Sequence, residues 1–187
     1  MISELGDSEV QEWAQKIVAG TDHLLETAEK SRAINHVLVD EFEEDAIDLV
    51  SVVEDRIDGI RTRYEDADIV LETPASAPVV GDQRVELVVD ELVENAIVHN
   101  ESDDPLVEVT IDHTEERTLL LVADNGPGIE PVEYEELTLE KLYDPVHHGE
   151  GIGLWLVYWL VQVFDGTLEF QPNESWGTVV TVRFQTV

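Results

Sequence analysis

Apolar residues recur at helical spacing through the first part of the chain. Val10, Trp13, Ile17, Leu24, Ile34 and Leu38 fall on a heptad-like stripe that no proline interrupts. The spacing predicts one long helix, loosened near Gly20. The acidic run EFEED at 41–45 then links it to a second helix, about Asp48 to Tyr64. DIVLET at 68–73 reads as a strand, and Pro74 to Pro78 as a loop. Gly81 and Asp82 are expected to open a helix that runs to His99. The period then changes to two: VEVTID (107–112) and TLLLVAD (118–124) form a hairpin across a charged turn.

Residues 126–149 have little pattern of their own, and so long a connection within a compact domain is often functional. A helix from about Gly151 to Phe164 follows. TLEFQ (167–171) and TVVTVRF (178–184) close the chain as a second hairpin. Helices followed by a mixed sheet with interleaved helices predict an α+β fold in two layers. The division expected is a helical segment over 1–44 and a catalytic domain over 45–187.

Composition narrows this picture. The chain has 187 residues, 43% of them apolar, enough for one sizeable core with a helical appendage. It has no cysteine, which excludes disulfides and thiolate metal sites and suits a reducing compartment. No apolar run approaches a membrane span, and MISELGDSEV lacks the basic and apolar regions of a signal peptide. A cytoplasmic location without direct membrane contact is the expectation. The net charge is −33, from 43 acidic and 10 basic residues spread along the whole length. Molar salt shortens the screening length to roughly 3 Å and relieves such self-repulsion, so the pattern reads as a halophile's surface. It also argues against nucleic acid as a partner, because phosphates would be repelled.

Three segments carry candidate chemistry. In ELVVDELVENAIVHN (86–100), Glu91, Asn95 and His99 share one helical face, while Leu87, Val89, Val93 and Ile97 make the opposite side apolar. An amide oxygen suits a hard cation, and a nearby carboxylate can take a proton or order a metal-bound water. The plain alternative is the solvated face of an amphipathic helix. DNGPGI (124–129) follows an apolar strand, so its carboxylate can accept from an exocyclic amine while two glycines let the backbone approach a ligand. An Asx-type turn is the alternative there. HHGEGIGLWLVYWLV (147–161) leads glycines at 149, 151 and 153 into an apolar helix whose free amides suit an anion, or simply make a flexible entry.

Read in order, ELVENA, DNGPGI and GEGIGLWLV resemble the N, G1 and G2 boxes of the ATPase superfamily of gyrase, heat-shock chaperones, MutL and histidine kinases. SWGTVVTV looks like that family's final Gly-Thr strand pair. Histidine kinases fit best, and GLWLVYWLV followed by DGTLEF is similar to haloarchaeal sensor kinases. The resemblance implies a Bergerat-type α/β sandwich with a mobile lid, binding ATP and Mg²⁺. By the same resemblance Asp124 holds the adenine amino group, supported by Thr178. Asn95 holds the metal, with Glu91 assisting its water or acting as catalytic base. His99 and Asn100 lie near phosphates or ribose. Gly126, Gly128 and Ile129 on one side, and His148, Gly149, Gly151, Gly153 and Leu154 on the other, are further implied nucleotide contacts. Within the lid, about Ile129 to His148, Lys141 is a phosphate contact or a solvated lysine. His147 and His148 contact phosphates or fill a hinge. No clear aromatic box follows in the lid, and Tyr143 is a candidate substitute for it.

The phosphoacceptor is not evident. His23 in DHLLE and His36 in NHVLV both lack the acid and arginine that usually follow such a histidine. Residues 9–40 instead resemble the second helix of a dimerisation hairpin. The acceptor helix is then supplied in cis by a longer chain or in trans, and a response-regulator receiver domain is the onward partner. The stripe over 10–38 can form a homodimer or fold back, with weak or no dimerisation expected from half a hairpin. Alternatives are a serine kinase of the anti-sigma type and an ATP-binding module that regulates a partner without transfer. An ATP-gated clamp would need a transducer domain.

Overall fold

The computed structural model describes residues 45–128, 152–173 and 177–187. The long helix expected over 10–38, its dimerisation, both N-terminal histidines and the lid with Lys141, Tyr143, His147 and His148 lie outside the described residues.

The first described helix, α1 (Leu49–Arg63), follows directly from the sequence. Leu49, Val53, Ile57 and Ile60 recur along one side and are all buried. Asp48 caps its start: the carboxylate accepts from Val50 N at 3.3 Å, from Ala77 N at 2.9 Å and from Ser76 Oγ at 3.2 Å. These bonds hold the Asp48 carboxyl below its usual range, the Ala77 bond most of all. Asp48→Ala is expected to cost about 1–2 kcal/mol, measured by urea unfolding, because it removes a cap and a loop clasp together. The lowered folded-state value means this stabilisation is present above the ordinary carboxylate range. It is lost as pH falls through the folded-state value.

Before and after α1 stand two short strands, β1 (Asp45–Asp48) and β3 (Pro78–Gly81), paired antiparallel with Asp45 opposite Gly81. Between them runs β2 (Asp68–Glu72). This corrects the reading in two places. Asp45 begins a strand rather than ending a linker, and Gly81 ends a strand rather than opening a helix. Helix α2 starts later and spans Val85–Val98, with Asp82 bonded to Arg84 N at 2.9 Å in the turn before it.

Strands β4 (Leu106–His113), β5 (Thr118–Asp124), β6 (Thr167–Pro172) and β7 (Thr178–Phe184) join β2 in a five-stranded sheet of order β2-β4-β5-β7-β6. Only β2 and β4 run parallel; the other neighbours are antiparallel. Val107, Val109 and Ile111 point inward while Glu108 and Asp112 point out, the period-two pattern of a sheet with one solvated face. Helices α1, α2 and α3 (Ile152–Val163) form the second layer. Helix α2 packs against both of the others and over β4 and β5. Leu92, Leu120, Leu156, Leu160 and Val182 fill the space between the layers. Phe164 and Phe184 close one end of the core with ring centroids 6.3 Å apart. The two-layer α/β sandwich is as expected.

Ion pairs lie on the helix surface. Arg56 Nε donates to Asp90 Oδ1 at 2.7 Å, and Arg63 pairs with Glu94, tying α1 to α2. Among the described residues no helix is long and apolar enough to cross a membrane.

Candidate functional site

The end of β5 and the start of β7 lie side by side, and α2 packs over β5. Together they frame a cleft of about 210 Å³. Leu92, Val122, Leu154, Phe170 and Val180 make its walls apolar, and Asn95, His99, Asp124 and Thr178 supply the polar atoms. An apolar slot with a few convergent polar groups is the form small-ligand sites take. A larger hollow, about 450 Å³, opens at the other end of the sheet among Glu115, Glu116, Asp165 and Arg183.

Asp124 is the last residue of β5. Its Oδ1 accepts from Gly126 N at 2.8 Å and its Oδ2 from Thr178 N at 3.2 Å. Burial raises its carboxyl above the ordinary carboxylate range, and these two amides oppose the rise. The arrangement leaves a half-buried carboxylate at the cleft, oriented by two backbone donors and able to accept a further hydrogen bond.

Gly177, the glycine of the Gly-Thr pair in SWGTVVTV, makes this possible. Its φ is +106°, and a Cβ there would overlap the Asp124 carbonyl oxygen. Only a residue without a side chain lets β7 start so close to the end of β5.

On α2, Glu91 is 93% buried, with 7% of its surface exposed. Glu91 therefore does not stand on a solvated face, although His99 two turns on is exposed; an ionisable group is removed from water only where something compensates it. The predicted apolar side was partly misjudged: Leu87 is only half-buried, whereas Val85 and Val88 are buried. Gly153 at the start of α3 faces this point. A Cβ on Gly153 would collide with Glu91 Oε2 and lie 3.5 Å from Asn95 Nδ2. Glu91, Asn95 and the start of α3 therefore share one small space. Gly153→Ala is expected to displace the Glu91 carboxylate, lowering Mg-ATP affinity by about tenfold or more while secondary structure is retained, as read by calorimetry and circular dichroism.

Asn95 Nδ2 is buried and has no hydrogen-bond partner among the described residues. That N–H end can only donate, so it suits a phosphate oxygen, while the Oδ1 of the same amide is the atom able to face a cation. Among the described residues no cluster of three or more His, Asp or Glu side chains forms a complete metal site. One carboxylate and one amide suit Mg²⁺, which keeps several waters and takes phosphate oxygens as ligands. Asn95 and Glu91 fit that role.

The expected residues divide as follows. Asn95, His99, Asp124, Gly128, Leu154 and Thr178 line the cleft. Glu91, Gly126 and Gly153 lie against its lining residues. Asn100 is engaged by the protein: its Nδ2 donates to Asn125 Oδ1 at 2.8 Å, and its Oδ1 accepts from Ser102 N at 3.0 Å. Asn125 was missed. Its Oδ1 also accepts from Leu106 N at 2.9 Å and its Nδ2 donates to Asp104 O at 3.0 Å, which clips the loop after α2 to the turn after β5. Ile129, His148, Gly149 and Gly151 lie outside the described residues.

Comparison with known proteins bears on this geometry. The profile of the histidine kinase-, DNA gyrase B-, and HSP90-like ATPase family matches residues 81–187. The sensor histidine kinase MtrB of Mycolicibacterium paratuberculosis is 32% identical over 147 residues, 74% of this chain and 25% of its own. The methanogenesis regulatory histidine kinase FilI of the archaeon Methanothrix harundinacea is 30% identical over 105 residues, 55% of this chain and 12% of its own. The crystal structure of full-length ShkA in complex with AMPPNP superimposes with a TM-score of 0.74 at 17% identity. That match covers 99% of this chain and 41% of ShkA, and it shows the shared fold. The chain spans a quarter or less of the curated relatives it matches.

Proposed function

Because the chain belongs to the histidine kinase-, DNA gyrase B-, and HSP90-like ATPase family, we propose that it is the ATP-binding catalytic domain of a sensor histidine kinase. The observation that carries this reading is the convergence of two features on one apolar cleft. At one end is the carboxylate of Asp124, held by Gly126 N and Thr178 N; at the other are Glu91 and Asn95. The relatives named above are histidine kinases, which favours this reading over a regulatory ATP-binding module or a serine-kinase-like domain.

In the proposed mode the adenine enters between Leu92, Leu154, Val122 and Val180 and its amino group donates to Asp124. The triphosphate then extends past His99 toward Asn95 and the start of α3. Asn95 would hold Mg²⁺ with Glu91 beside it, and the ion would neutralise phosphate charge when bound. That matters in a chain of net charge −33. The bond between the γ-phosphorus and the β,γ-bridging oxygen breaks, leaving ADP. A bond forms from phosphorus to an imidazole nitrogen of the acceptor histidine, whose proton passes to solvent or to Glu91. The phosphoryl group then moves to an aspartate of a receiver domain. The acceptor helix is supplied in cis by a longer chain or in trans.

We place the domain in the cytoplasm, where ATP and the receiver are found, and read its acidic surface as an adaptation to high salt. Nucleic acid is not among the proposed partners. The haloarchaeal part of the resemblance rests on composition and the α3 phrase, since the relatives include bacteria and one methanogen. Pairing through residues 10–38 also stays a proposal.

Transfer is tested with γ-³²P-labelled ATP and a separately produced dimerisation hairpin bearing a histidine. The wild type is expected to label the hairpin with an acid-labile phosphoryl group. Glu91→Gln is expected to slow labelling by about 100-fold or more while Mg-ATP affinity falls by no more than about tenfold. Undiminished labelling by Glu91→Gln removes Glu91 from the chemistry. Acid-stable labelling of a serine favours the serine-kinase reading.

A further inference from the structure

The pairing of β5 with β7 runs to Ala123 opposite Val179 and stops one residue short of Asp124. In a regular antiparallel ladder the next backbone donor would engage the Asp124 main chain. Here Thr178 N is diverted to the Asp124 side chain at 3.2 Å. The Asp124 carbonyl oxygen instead accepts from Asn173 Nδ2 at 2.9 Å, across 49 residues of sequence. A main-chain carbonyl can only accept, so the amide must present its nitrogen to it. Asn173 is itself fixed, because its backbone N donates to Gly177 O at 3.0 Å.

From this geometry we infer that Asn173 is a positioning residue for base recognition. Its amide sets the direction of the Asp124 carboxylate and thereby the selectivity for a purine bearing an exocyclic amine. The chain of contacts is short. Anchoring the Asp124 carbonyl fixes the peptide plane between Asp124 and Asn125. That plane fixes the turn that carries Gly126 N, and Gly126 N holds Oδ1 at 2.8 Å. Asn125 secures the same turn from its other side through Leu106 N and Asn100. The carboxylate therefore receives its orientation from both flanks, and Asn173 contributes by bonding the main chain of Asp124 itself. Asn173 does not line the cleft and touches no nucleotide atom in the proposed mode.

The inference rests on the proposed nucleotide site, and its test separates the two. Affinities for Mg-ATP and for Mg²⁺ with purine riboside triphosphate, which lacks the 6-amino group, are measured by calorimetry. The proteins are the wild type, Asn173→Ala and Asn173→Ser, a smaller polar change in case the alanine variant does not fold. The wild type is expected to prefer ATP. The variants are expected to lose roughly tenfold in ATP affinity, the lower edge of what outer-shell orienting groups contribute. Their affinity for the amine-free nucleotide is expected to stay unchanged, so that discrimination collapses. A purely structural role would weaken both nucleotides alike. A folded variant that keeps wild-type discrimination, or that loses both affinities equally, overturns the inference while the ATP site stands. A folded wild type that binds neither nucleotide overturns both.

Discussion

Asp124→Asn lowers affinity for Mg-ATP by about 100-fold, the worth of roughly 3 kcal/mol when an ionised acceptor becomes an amide. The wild-type carboxylate has both oxygens occupied by backbone donors, Gly126 N and Thr178 N, and keeps lone pairs for a third. An asparagine has one oxygen. Whichever way it is placed, its Nδ2 faces a backbone N–H, the adenine amine, or both. Titration calorimetry in multimolar KCl reads the loss directly. Affinity within threefold of wild type would show that the base is recognised elsewhere.

The same residue predicts a pH dependence. Burial raises the Asp124 carboxyl above its ordinary value of 3.8. A raised folded-state value means that the stability linked to this proton is fully present below the unfolded value. It is lost as pH rises through the folded one. ATP binding has the opposite sense, because the ionised form accepts from the amine. Affinity therefore weakens as pH falls through a point above 3.8, and Asp124→Asn flattens that limb.

Gly177→Ala has the largest expected effect on stability. The added Cβ meets the Asp124 carbonyl oxygen, a main-chain atom that cannot swing aside, and the backbone stands at φ +106° where side chains are strained. Overlap and strain together cost about 3 kcal/mol or more, which lowers Tm by roughly 10 °C in a chain of this size. Nucleotide binding is lost with it, since β7 can no longer deliver Thr178 N to Asp124. Thermal unfolding measures the first effect and calorimetry the second. A Tm within 2 °C of wild type would show that the ends of β5 and β7 are less closely joined than described.

Much of this was legible in the sequence, for physical reasons that also mark where legibility stops. Leu49, Val53, Ile57 and Ile60 announced α1, and the alternation in β4 and β5 announced the hairpin, because periodicity follows directly from which face is buried. Asp124 was picked out by the resemblance of DNGPGI to a G1 box; its residues alone fitted an Asx-type turn equally well, and the bond from Gly126 N to Asp124 Oδ1 is of that kind. Strands β1 and β3 escaped: each has four residues, Pro78 and Gly81 read as loop signals, and Gly81-Asp82 imitates a helix start. The burial of Glu91 escaped too, since its partner across the gap, Gly153, is 62 residues away and signals itself only by what it lacks. Asn125 and Asn173 were beyond reach for a related cause. Each amide bonds main-chain atoms that are distant in sequence, and main-chain atoms carry no residue identity to read.

The central claim is that the cleft between α2 and the ends of β5 and β7 binds ATP with Mg²⁺. Its most direct test is the thermal shift of the wild-type chain in multimolar KCl on adding Mg-ATP. Binding to the native state raises apparent stability by about 2.7 kcal/mol at 100 times Kd, so a rise of several degrees is predicted, abolished by chelating the metal. A folded protein whose Tm does not move at saturating Mg-ATP would contradict the account.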